Sequence, residues 1–262
     1  MIEVIATLQA NALLFGLLLV RISAMFATAP VLSSRVVPIR VRAGLAVILA
    51  LATLPLVADG TLQVPESTVA YVLLAGKEVV VGIAIGLIAQ MLFAAVQVAG
   101  SVIDMGSGFA MAQTIDPTSN ANLSLLGRVY NLIATTVFIA IGGHLILVQA
   151  VVASFGLVPP TSLPNPFALS EGMLVRSADL FMIAMQVAAP LMAALLITDV
   201  ALGIISRAAP QMNVFIVGLP VKAGVALMGT AVLLPAFVTL LNGATQQMFQ
   251  DLSDVLRATG SP

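Results

Sequence analysis

Four ionisable side chains stand inside long apolar runs: Lys77 and Glu78 in residues 69–99, Asp199 in 180–206 and Lys222 in 214–241. A charge in such surroundings is expensive, so it either serves a proton or ion path or pairs with a neighbouring helix or subunit. Both readings stand, although four scattered charges do not form a relay pattern. Consecutive helical positions point about 100° apart, so Lys77 and Glu78 are not expected to face one partner directly. Arg21, near the end of the first run, is read as snorkelling toward the loop that follows.

Catalytic signatures are missing. Gly76-Lys77-Glu78 lacks the upstream glycine and the hydroxyl of a phosphate-binding loop. His144 is the sole histidine, which excludes the paired-histidine zinc motif. No local motif suggests a Ser-His-acid order. The chain has no cysteine, hence no disulfide and no thiolate metal site. With net charge -1 and no basic patch, nucleic acid is not an expected partner. No enzyme activity and no cofactor are expected.

Residues 100–117 are the most informative stretch. Gly106 and Gly108 permit backbone shapes that other residues resist. Phe109, Met111 and Ile115 are apolar, and Asp116-Pro117 ends any helix. A solvated loop would not carry so many apolar groups. Irregular backbone at membrane depth survives only against protein or water-filled space. The segment is therefore either a pliable re-entrant seal for a pore or a packed connector. Upstream, Gly82-x-x-x-Gly86 gives a face for close helix packing, or reflects chance in a glycine-rich chain.

The elements that must position these residues follow from composition. Hydrophobic types make up 60% of the 262 residues and charged types 8%, against roughly 45–50% and 25% in soluble domains. So few polar groups cannot wet a globule, and lipid is the simplest alternative. Apolar segments lie at about 8–29, 43–58, 69–99, 128–155, 180–206 and 214–241. They are apolar all round and do not alternate, which predicts helices and excludes barrel strands. The fold class is all-α: a polytopic membrane protein of about six long hydrophobic helices. The segments are uneven. The second is short and holds Pro55, while the third and fourth exceed one crossing of about 20 residues. The first lacks a positive leader and is expected to be retained rather than cleaved. Arg35, Arg40, Arg42, Arg128 and Arg207 fall on one side, Arg176 and Arg257 on the other. That bias places the odd loops in the cytoplasm. Residues 242–262 form a polar tail.

An ordered set of motifs now carries a resemblance. Pro38-Ile39-Arg40-Val41-Arg42 comes first. Asp116-Pro117, Leu126-Gly127-Arg128, Phe138, Gly143-His144-Leu145, Ser154-Phe155 and Pro159 follow. The run from Arg207 through Pro210, Gln211, Asn213, Phe215, Gly218 and Pro220 to Lys222 is the closest match. Together they resemble the FliR family, the R subunit of the flagellar type III export gate. The resemblance implies a P-like helical part at 1–178 with a pore loop at 100–127, a Q-like hairpin at 179–241 and the tail. It implies a pore subunit at the basal body in the bacterial inner membrane, passing unfolded flagellar proteins. Its partners would be the P, Q and B subunits FliP, FliQ and FlhB. The family's pore-closing loop maps onto residues 106–122, making Gly106, Gly108, Phe109, Met111, Ile115, Asp116 and Pro117 the gating candidates. Arg207, Pro210, Asn213, Phe215, Gly218, Pro220 and Lys222 become interface candidates. Two alternatives stay open: the related subunit of a virulence injectisome, and a small-solute secondary transporter. The second would show internal repeats meeting at midplane charges, and the halves here show no convincing repeat.

Overall fold

The computed structural model describes residues 2–34, 36–58, 67–111, 124–162, 166–211 and 213–260. Among these the chain forms helices only: α1 Ile2–Thr28, α2 Ile39–Val57, α3 Thr68–Ser107, α4 Leu125–Ala140, α5 Gly143–Leu157, α6 Pro166–Ala208 and α7 Val214–Gly260. Among the described residues, five helices are long and apolar enough to cross a membrane, or six if the bent pair α4–α5 counts as one span. The chain is an all-α polytopic membrane protein. At 40, 43 and 47 residues, α3, α6 and α7 each run about 60–70 Å, roughly twice the hydrocarbon thickness.

Three boundaries differ from the sequence reading, each for a local reason. Residues 128–155 are not one run. Gly142 adopts φ 77 in the left-handed region and the helices on either side meet at 65°. Residues 100–107, read as loop, continue α3, which stops where Gly108 turns left-handed at φ 88. The polar stretch after residue 241 extends α7 as an amphipathic helix. Met248, Leu252, Val255 and Leu256 recur at helical spacing and are buried. Prolines 55, 190, 220 and 235 sit inside helices, as membrane helices tolerate.

The chain divides into two compact units, and α3, α6 and α7 contribute to both. The first comprises residues 1–91, 142–177 and 245–262. Leu14, Leu17, Leu18, Ile22, Met25 and Phe26 form the buried stripe of α1. Gly82 and Gly86 of α3 let the two backbones approach. A Cβ at Gly82 would strike the Arg21 carbonyl, and one at Gly86 would strike the Thr28 hydroxyl. Near the chain's end, Arg176 pairs with Asp251 at 2.6 Å, and Gly172 leaves room for Val255.

The second unit comprises residues 92–141 and 178–244. Edge-to-face ring pairs anchor its core, Phe93 with Phe138 at 5.3 Å and Tyr130 with Phe237 at 5.2 Å between centroids. The start of α4 is capped twice. The Ser124 hydroxyl accepts from the Gly127 N–H at 2.7 Å, and the buried Asp104 carboxylate accepts from the Leu126 N–H at 3.1 Å. Gly100 lies directly against Gly127. Gly100→Val should therefore abolish folded protein in detergent extracts, because its side chain meets backbone that cannot yield. Gly156→Ala, with open space around it, should leave the elution profile of the folded species unchanged or slightly improved.

Candidate functional site

α6 and α7 form a hairpin, with Leu202 against Gly218 and Asp199 against Lys222. Its geometry follows from Asn213, whose side-chain oxygen accepts from the N–H groups of Phe215 at 3.1 Å and Ile216 at 3.3 Å. That is an N-cap, and it orients α7 as it leaves the turn. Arg207 occupies the last turn of α6, where a cation complements the helix dipole. Arg207, Pro210, Asn213, Phe215 and Pro220 are all exposed on this chain. Gly218 is buried, and a Cβ there would meet Leu202 at 3.2 Å.

The end of α3 lies against the same hairpin within the second unit. Gly106 faces Met192 and Leu195 of α6, which a Cβ would approach to 2.8 Å and 3.2 Å. Gly108, left-handed, faces Leu219 of α7. Phe109 is half-buried, whereas Met105 and Met111 are exposed at 75% and 44%. An open cavity of about 530 Å³ joins the two sets of residues. Met105, Gly108 and Met111 line one side and Phe215, Gly218 and Lys222 another, with Asp199 beside Lys222. Lys222 pairs with Asp199 at 2.8 Å. Asp199, expected to be buried, has a side chain 50% exposed, because no element among the described residues covers its helix face. The remaining gating candidates, Ile115, Asp116 and Pro117, lie outside the described residues.

Lys77 and Glu78 belong to the first unit and are buried, at 7% and 0% exposure. They do share one network. The long Lys77 stem bends back so that its Nζ lies 2.6 Å from Glu78 Oε1. Glu78 also receives a two-pronged contact from Arg21, through Nε to Oε2 and through Nη2 to Oε1 at 3.0 Å. Arg21 therefore does not snorkel. It is fully buried, donates to the Ser154 hydroxyl at 2.9 Å and the Val158 carbonyl at 2.8 Å, and stacks its guanidinium 4.3 Å over the Phe155 ring. Its burial, though not its partners, was legible in spacing: position 21 falls on the stripe of Leu14, Leu17, Leu18 and Met25, inside the helix packing.

With this arrangement in hand, comparison with known proteins is decisive. The model of the family described as bacterial export proteins, family 1, matches residues 12–248. The flagellar biosynthetic protein FliR of Bacillus subtilis is 35% identical over 253 residues, covering 94% of this chain and 95% of that protein. This chain belongs to the FliR family. FliR of Escherichia coli K12 is similar at 32% identity over 238 residues, 91% of this chain and 90% of its own. The Yop proteins translocation protein T of Yersinia pestis is 33% identical over 225 residues, 84% of this chain and 85% of that protein. The family match takes in both the buried charge network and the glycine–methionine cavity.

Two substitutions check the hairpin geometry of this FliR-family chain. Asn213→Ala should cost about 1 kcal/mol through loss of the cap, read as a lowered unfolding midpoint in detergent. Gly108→Ala should cost at least about 1 kcal/mol, because the left-handed φ of 88 disfavours a side chain and Leu219 occupies the space.

Proposed function

We propose that this chain is a pore-forming wall subunit of the flagellar type III export gate. It would sit in the bacterial inner membrane at the basal body and let unfolded flagellar proteins pass, without doing chemistry itself. The observation that carries the reading is the cavity where the glycine-bounded end of α3 meets the α6–α7 hairpin. The cavity is lined by the left-handed Gly108 and the pliable Met105 and Met111, with half-buried Phe109 next in sequence, which suits a seal that must yield and close again.

Partners are proposed from the surface. Phe181, Met182, Met185, Leu196, Ile197 and Ile204 are all more than half exposed along α6. Faces this long and apolar require cover by lipid or by other helices. We assign FliP-type and FliQ-type subunits to these faces, and the hairpin end at Arg207–Pro210–Asn213 to an FlhB-type subunit. In the same reading residues 1–178 are the P-like part, 179–241 the Q-like hairpin and 242–262 the polar C-terminal tail. Similarity to the Yersinia translocation protein at nearly the same identity as to FliR supports a second reading, an injectisome gate subunit. Restoration of motility in a fliR-deleted flagellate, without restoration of injectisome secretion, separates the two.

Co-expression with P- and Q-type subunits should recover one complex, and the chain alone should move no solute in vesicles. Phe109→Ala or Met111→Ala in that complex should raise ion leak across the membrane. Unchanged permeability with normal assembly would reject the sealing role. Solute uptake by the isolated chain would instead indicate a secondary transporter.

A further inference from the structure

Lys77 is surrounded by oxygens. Its Nζ donates to the carbonyls of Pro159 at 2.8 Å, Pro160 at 2.9 Å and Ser162 at 3.1 Å, and lies 2.6 Å from a Glu78 carboxylate oxygen. Three of these four oxygens belong to the connection that follows α5. The preceding carbonyl, of Val158 at the end of α5, is taken by Arg21. The turn is half-buried and Pro160 within it is buried; a carbonyl withdrawn from water needs a partner, and the end of a helix adds partial negative charge. Pro159 and Pro160 have fixed φ and no N–H, so this turn can neither relax freely nor satisfy itself through those residues. Ser162 closes it by donating both its N–H, at 3.2 Å, and its hydroxyl, at 3.0 Å, to the Pro159 carbonyl, which leaves the Pro160 and Ser162 carbonyls to Lys77 alone among the hydrogen bonds of the turn.

We propose that the Lys77 ammonium acts as a tethered structural cation that moulds the Pro159–Ser162 turn around itself. The pocket it fills is then a built site for a primary ammonium ion, occupied in the native chain by its own side chain. This assignment is independent of the export function. It also explains why two cations accompany one carboxylate here. Glu78 supplies one negative charge shared by Arg21 and Lys77, and the turn carbonyls supply the rest of the oxygens around the lysine.

The test removes the tether and keeps the pair. Lys77→Ala leaves Arg21 and Glu78 matched. The chain has no cysteine, so Thr161→Cys, inside the turn, gives a single maleimide-reactive probe in the full chain in membranes. Ala50→Cys, fully buried in α2 of the same unit, reports general unfolding. Labelling at position 161 should rise about tenfold or more in the Lys77→Ala background, as expected when buried carbonyls lose their partners, while position 50 stays protected. Millimolar n-propylammonium, which replaces the missing atoms, should slow labelling at 161 again, and n-propanol should not. Unchanged labelling at 161 would overturn the proposal. So would equal rescue by n-propanol, which marks a space-filling role, or no rescue by the ammonium. Exposure of both probes would overturn it as well, since the lysine would then hold the whole unit rather than this turn.

Discussion

Arg21, Lys77 and Glu78 occupy a place from which water is excluded, and the first unit closes only because each finds a partner there. Withdrawing charges from water costs several kcal/mol per ion. That cost is offset here by a two-pronged Arg21–Glu78 contact, a lysine reaching the same carboxylate, and carbonyls at the end of α5. The three charges thereby tie α1, α3 and the connection after α5 together at one point. In a chain whose helices are otherwise apolar, dispersion and small-residue packing alone would leave helix register poorly defined. A directional contact between buried charges supplies register, as Gly82 and Gly86 supply proximity.

The second unit uses other means. Its register comes from caps and rings: Asp104 and Ser124 at the start of α4, Asn213 at the start of α7, and the Tyr130–Phe237 and Phe93–Phe138 pairs. Two of its charges, Asp199 and Lys222, meet at the chain's surface beside a methionine-lined cavity. The first unit is keyed by buried charges, whereas the second carries an open cavity lined in part by methionines.

Much of this was legible in the residues. Composition fixed the membrane class, and the motif order from Pro38 to Lys222 carried the family. What escaped was set by geometry between distant positions. Position 21 was read by its nearness to a loop rather than by its helical face, so its network with residues 57 and 133 positions away went unseen. The rule that consecutive residues diverge holds for Cα–Cβ directions, but the flexible four-carbon lysine stem overrides it. Gly142 breaks an apolar run because of its φ, which hydropathy does not register. The terminal stretch looked like a tail because its polar residues outnumber its apolar ones, although Met248, Leu252 and Val255 keep helical spacing.

A double-mutant cycle on the buried pair is the most direct test. Unfolding of the full chain in detergent would be measured for Arg21→Met, Glu78→Met and the double substitution. Glu78→Met leaves Arg21 and Lys77 without their carboxylate and should cost about 3–5 kcal/mol; Arg21→Met leaves Glu78 paired with Lys77 and should cost less, and the double change should recover a large part of the Glu78→Met loss. A Glu78→Met cost of less than about 1 kcal/mol, or effects that simply add, would contradict a fold keyed by this contact.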